Sequence, residues 1–164
     1  MSKRWYVLQV STGKEVQVKN SLEQQGYKVL VPLLERQIRQ KGIWHKQLDV
    51  IFTGYVFVKL EYKWSDYYHL CTLPDVIKIL GGGKSPIPLT DEEIMTVRRL
   101  DMLSSASLVR FKDGKLIPLK GLLLEFKDSL KSYKRRQRRA VIEVEIAKNK
   151  TPVTVSFKEI TGGI

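Results

Sequence analysis

Lys134, Arg135, Arg136, Arg138 and Arg139 place five cations in six positions, a density that suits the phosphate oxygens of RNA or DNA. A second basic group, Arg36, Arg39, Lys41, His45 and Lys46, surrounds Trp44. Cations there attract phosphate, an indole stacks on an unpaired base, and an arginine fork bonds a guanine edge bidentately. Regular A-form RNA hides its major-groove edges, so such reading needs a bulge or loop that opens them. Both groups read equally as solvated surface that keeps the chain soluble. Arg98 and Arg99 carry the same pair of readings, phosphate contact or complement to a helix C-terminus.

Catalytic chemistry has little to work with. His45 and His69 are the two histidines, Cys71 is the single cysteine, and no paired carboxylates stand in a convincing setting. No enzyme activity, metal or cofactor is expected, and one cysteine supports neither a disulfide framework nor a thiolate cage. Gly81-Gly82-Gly83-Lys84 lacks the distal GK[ST] spacing and runs into Ser85-Pro86, so it is not a phosphate loop.

A third constellation is apolar. In residues 51–60 a glycine, Gly54, interrupts an aromatic-rich run, with Phe52 before it and Tyr55 after it. Alternation from Tyr55 onward puts Tyr55, Phe57 and Lys59 on one face of a strand and Val56, Val58 and Leu60 on the other. Bulky side chains on both faces mean a strand between two layers, or one that docks a face on another molecule. Phe52 and Tyr55 are therefore either ordinary core or a docking pair, with Ile79 as a third apolar candidate.

The elements that must position these groups follow from periodicity and caps. Residues 5–10 read as a strand. Thr12-x-x-Glu15 has capping-box spacing, Val18 and Leu22 form an i, i+4 pair, and Gly26 suits a helix end, so a helix is predicted over 14–25. A strand at 27–32 and a polar hairpin with arms 35–40 and 43–50, turning at Lys41-Gly42, precede the strand at 55–60. A short helix over 65–72 is capped by Ser65 and stopped by Pro74. A strand at 76–80 follows, then a helix opened by Thr90-x-x-Glu93 that buries Ile94, Val97 and Leu100. The first domain, 1–101, is thus α+β with a mostly antiparallel sheet and flanking helices.

Residues 102–107 read as a linker. Beyond them, 140–146 and 151–157 alternate cleanly, with Asn149 as the turn, which points to a small all-β barrel over 108–164. Residues 122–133 suit a helix nearly as well as a strand. At 164 residues and 43% hydrophobic content the chain can bury a core. The net charge is +12, of which residues 1–104 carry 15 − 11 = +4 and residues 105–164 carry 14 − 6 = +8. That balance favours a polyanionic partner, nucleic acid before membrane. The start of the chain lacks an apolar signal segment and no run reaches transmembrane length, so a cytoplasmic monomer with no membrane partner is expected.

The chain resembles the NusG family of transcription factors over nearly its whole length. The resemblance rests on Trp5-Tyr6-Val7, Thr12-Gly13-Lys14-Glu15, Gly26-Tyr27, Phe52-Thr53-Gly54-Tyr55-Val56-Phe57-Val58, Pro74-Asp75-Val76 and Gly81-Gly82 in the first domain. In the second it rests on Gly121, the basic turn 134–140 and Thr151-Pro152-Val153, which resemble the family's KOW module, an SH3-like barrel. The resemblance implies that Phe52 and Tyr55, with Ile79, dock on the clamp helices of the largest RNA polymerase subunit. It implies an elongation or antitermination factor that promotes processive, pause- and terminator-resistant transcription. Three positions depart from the family pattern: Thr53 for proline, Leu122 after Gly121, and Ala147 where an aromatic residue is common. These make it similar to the specialised RfaH-like group, and the basicity favours its LoaP type, recruited by a nascent RNA hairpin. The alternatives are a general factor whose KOW domain meets a ribosomal protein or Rho, and a KOW-containing RNA-binding or ribosomal module. Strong β patterning at 142–146 and 153–157 argues against a second domain refolded as a helical hairpin.

Overall fold

The computed structural model describes residues 3–82 and 84–161; Gly83, part of the triglycine segment, lies outside them. The chain divides into two compact units, Met1–Pro32 with Phe52–Arg98, and Leu33–Ile51 with Arg99–Ile164.

In the first unit, β1 (Arg4–Val10), α1 (Glu15–Gln24) and β2 (Lys28–Leu30) are followed, after an excursion into the second unit, by further elements. These are β5 (Tyr55–Leu60), α2 (Trp64–Thr72), β6 (Val76–Ile79) and α3 (Asp91–Met102), whose last turn enters the second unit. The sheet order is β2-β5-β1-β6, antiparallel where the strands pair. The inner strands β1 and β5 are buried along most of their length, as their apolar residues on both faces require. Helix α1 buries Val18 and Leu22 and packs on β2 and β5.

Two of the three predicted caps form differently. At α3 the reciprocal box is present: Glu93 N–H donates to Thr90 Oγ1 at 3.1 Å, and Thr90 N–H donates to Glu93 Oε1 at 2.9 Å. At α2 the cap is Asp66, which accepts the Lys63 N–H at 2.9 Å, in place of Ser65. Helix α1 has no side-chain cap; Glu15 is turned to another task described below.

The second unit contains the hairpin β3 (Leu33–Gln40) and β4 (Ile43–Val50), turning at Lys41 and Gly42, both at positive φ. Five more strands are β7 (Ser107–Lys112), β8 (Lys115–Lys120), β9 (Leu130–Lys134), β10 (Arg139–Ile146) and β11 (Asn149–Glu159), ordered β8-β7-β11-β10-β9. This is the strand-rich arrangement of a small SH3-like barrel. The ambiguous stretch resolves into both kinds of structure: a one-turn helix α4 (Leu122–Glu125), a 3₁₀ turn (Lys127–Ser129), then β9. Gly121 has φ +94°, and a Cβ there would stand 2.9 Å from Ser107 Oγ. Ser107 itself is buried and its Oγ accepts the Leu123 N–H at 3.1 Å. The predicted linker is therefore structured at both ends, since Met102 closes α3 and Ser107 opens β7. The hairpin groups with the second unit, not with the first as expected, and Gln37 N–H donates to Ser156 Oγ at 2.9 Å there. The β10–β11 turn is formed by Ala147 and Lys148 at φ 51° and 65°, so Asn149 belongs to the strand.

Candidate functional site

The aromatic–glycine segment owes its shape to a carboxylate 39 residues away. Glu15 is buried; its Oε1 accepts the Gly13 N–H at 3.0 Å and its Oε2 accepts the Gly54 N–H at 2.7 Å. Gly54 in turn has φ +82° and accepts the Val10 N–H at 2.8 Å. Tyr55 N–H donates to Phe52 C=O at 3.2 Å, closing a tight turn that ends where β5 begins. Gly54 is needed because an L side chain disfavours that φ. The result is that Tyr55 is held at a fixed sheet end rather than on a loose loop.

The three apolar candidates do not share one surface. Tyr55 is 39% exposed, whereas Phe52 is 7% and Ile79 1% exposed. Phe52 packs edge-on against Phe57, with ring centroids 5.5 Å apart. Paired residues of neighbouring strands share a face, so Gln9, opposite Tyr55, lies on the face of Tyr55 and Phe57. Ile79 is opposite Leu8, on the other face. The register thus separates Ile79 from Tyr55, and Phe52 supports the surface from beneath. One exposed ring remains where three apolar groups were expected.

The basic candidates sort in the same way. Arg36 pairs with Asp49 at 3.2 Å. Trp44 is half-buried and its ring is already covered: the Arg138 guanidinium stands 4.1 Å from its centroid and that of Arg39 6.0 Å. The expected freely exposed indole is therefore engaged with arginine. Arg135 is held by Glu159, with Nε donating at 3.1 Å, and lies 4.4 Å over the Phe111 ring. Its hydrogen bond lowers the Glu159 pKa below the ordinary carboxylate value, and the same bond raises that of Arg135. Arg139 is half-buried, and its Nε is buried with no partner. Arg98 lies 5.6 Å over the Trp5 ring in the first unit, while Arg99 falls in the second. Lys41, His45, Lys46, Arg99, Lys134 and Arg136 are exposed and make no side-chain hydrogen bond or ion pair among the described residues.

Two features went unread in the sequence. Glu15 matched a capping-box spacing, and nothing local distinguished that from a bond to Gly54. Helix α2 carries a ring cluster, Trp64, Tyr67 and Tyr68, with centroids 5.2–5.8 Å apart, and Trp64 and Tyr68 are exposed. Its signal was present as i, i+3, i+4 aromatic spacing. Among the described residues no group of His, Cys, Asp and Glu could hold a metal ion, and no helix is long and apolar enough to cross a membrane.

The family model for the transcription termination factor NusG matches residues 3–98. The transcription termination/antitermination protein NusG of Vibrio cholerae is 28% identical over 172 residues, covering 96% of this chain and 94% of that protein. The protein of that description from Halalkalibacterium halodurans is 25% identical over 175 residues, covering 98% of each. A solved structure of Thermotoga maritima NusG, concerned with its domain interaction, superposes with a TM-score of 0.61 at 24% identity, covering 95% of this chain and 94% of that one.

Proposed function

The chain belongs to the NusG family of transcription factors, and from that premise we propose that it is an elongation and antitermination factor that grips RNA polymerase through the surface at Tyr55. The observation that carries this reading is the exposed Tyr55 ring at a turn held rigid by Glu15 and Gly54. A ring fixed in place before binding loses little freedom on docking, so more of its burial becomes affinity. By resemblance, the partner is the pair of clamp helices of the largest polymerase subunit. A factor that binds the closed clamp more tightly than the open one shifts the population toward the closed, processive form. A difference of ~1.4 kcal/mol changes that ratio about tenfold.

Recruitment runs through nucleic acid in this proposal, by a nascent RNA hairpin as in the LoaP type. The exposed cations on the hairpin and on the β9–β10 turn support it, as does Ala147, which leaves no aromatic ring on the barrel turn. A second reading, the general NusG factor whose barrel meets a ribosomal protein or Rho, is favoured by similarity along 94–98% of proteins named for both termination and antitermination.

Single-round transcription over a terminator separates the two. A hairpin-recruited factor raises read-through only on templates that encode its RNA element upstream, and the effect disappears when the hairpin is unpaired by mutation. Read-through or Rho-dependent termination that changes equally on every template contradicts recruitment and supports the general factor. No effect on any template contradicts both.

A further inference from the structure

We propose that a basic groove in the first unit, centred on Lys59 and the buried Trp5, binds the phosphodiester backbone of a nucleic acid. A single cross-strand row runs under it and the groove beside it: Lys28 on β2 is directly opposite Lys59 on β5, which is directly opposite Trp5 on β1. Over the Trp5 ring lies the Arg98 guanidinium, 5.6 Å from the centroid. Lys3 and Arg4 also line it. The groove has a volume of about 430 Å³, and Lys3 and Lys59 also line an adjoining one of about 370 Å³ that includes Lys28.

Three observations point to an anionic occupant. Like charges directly opposite on neighbouring strands destabilise a sheet, and Lys28 and Lys59 form such a pair. None of the five cations makes a side-chain hydrogen bond or an ion pair among the described residues. Asp91 is the one acid lining the larger groove; Glu61 and Asp66 line the smaller, where Asp66 is already bonded to the Lys63 N–H. The N-terminus of α3 is not the attraction, since Thr90 and Glu93 cap it and Asp91 and Glu92 add negative charge. The cations are.

The chemistry favours nucleic acid over an acidic protein. A protein-docking surface carries exposed apolar groups at its centre. Here the lining residues Trp5, Leu89 and Ile94 are buried, so the surface offered is cationic. Three strands at about 4.8 Å spacing put roughly 10 Å between the ends of the row, the rise of about three nucleotides. Arg98 is pre-oriented by its stacking on Trp5, which limits the entropy lost when it meets phosphate. Nothing in this row reads base edges, so the site strengthens binding without choosing a sequence.

The inference shares with the proposed function its nucleic-acid partner but not its polymerase contact. It is tested on the full chain by measuring affinity for oligo(U) RNA, oligo(dT) DNA and a DNA duplex across a range of salt concentrations. In K28Q/K59Q/R98Q the slope of log affinity against log salt should become shallower by about 2 to 3 for whichever probe binds. Lys59→Gln alone should melt no lower than the wild type, because it removes a like-charge pair, and this keeps a folding defect apart from a binding defect. The variant K134Q/R136Q, on the other unit, should lose its own share of the slope and leave that of the groove. A triple variant with the wild-type slope on all three probes overturns the groove, even if K134Q/R136Q is affected. A wild-type protein that binds no probe at low salt also overturns the groove, while recruitment by a structured RNA hairpin and the polymerase contact stand or fall on their own tests.

Discussion

Glu15 is a buried carboxylate whose two oxygens take the N–H groups of Gly13 and Gly54, so its replacement separates the placement of Tyr55 from the ring's own contribution. Glu15→Gln keeps the volume but leaves one acceptor oxygen for two donors and sets an amide NH₂ against the other. A loss of about 1–3 kcal/mol in chemical denaturation is expected, with faster hydrogen exchange at the Gly54 amide. Unchanged stability and exchange would mean that the two bonds do not hold the turn. Phe52→Ala should cost about 3–5 kcal/mol as a buried ring, so weakened partner binding in that variant reports placement as well as contact. Titration provides a third case. Because Arg135 lowers the folded pKa of Glu159 below its ordinary value of 4.5, their pairing stabilises the fold above about pH 4.5 and fades as pH falls through the depressed value. An NMR titration of Glu159 should therefore show a midpoint below 4.5 that returns to the ordinary range in Arg135→Gln; an unshifted wild-type midpoint would contradict the pairing.

Elements were legible where the determinant was local. Thr90 and Glu93 close their box as spaced, and Lys41-Gly42 turns the hairpin with both residues at positive φ. The α+β first unit and the strand-rich second unit follow from the periodicities. What the sequence hid was long-range. Thr12-x-x-Glu15 has the spacing of the α3 box, yet Glu15 reaches Gly54, and spacing cannot encode a partner so distant along the chain. Phe52 and Tyr55 look alike in sequence, and only the turn between them decides that one ring packs on Phe57 while the other faces out. Asn149 suits a turn because asparagine tolerates αL, yet it opens β11, and its side-chain N–H donates to the Ala147 C=O at 3.3 Å. At this scale Gly121→Ala is the sharpest test. Its φ of +94° and the 2.9 Å approach to Ser107 Oγ predict a destabilisation of the second unit by about 1–3 kcal/mol. A variant as stable as the wild type would show that the packing of Ser107 on the β8–α4 turn can relax.

For the whole molecule, charge and apolar surface divide the work. The +12 net charge speeds approach to any polyanion and is screened by salt. It cannot by itself select a transcription complex, because specificity is a difference of affinities. In the proposed function that selection falls to the ring at Tyr55, because apolar burial against a partner would be only weakly salt-dependent. Under the proposed function neither half suffices: cations without the ring hold RNA without engaging polymerase, and the ring without cations docks on every elongating polymerase alike. The most direct test is equilibrium binding of the intact protein to core RNA polymerase, without nucleic acid, comparing the wild type with Tyr55→Ala. The substituted protein should keep its stability within about 1 kcal/mol and lose about thirtyfold in affinity, the equivalent of a hot-spot ring worth ~2 kcal/mol. Equal affinity of the two proteins for polymerase would contradict the assignment of Tyr55 as the docking residue.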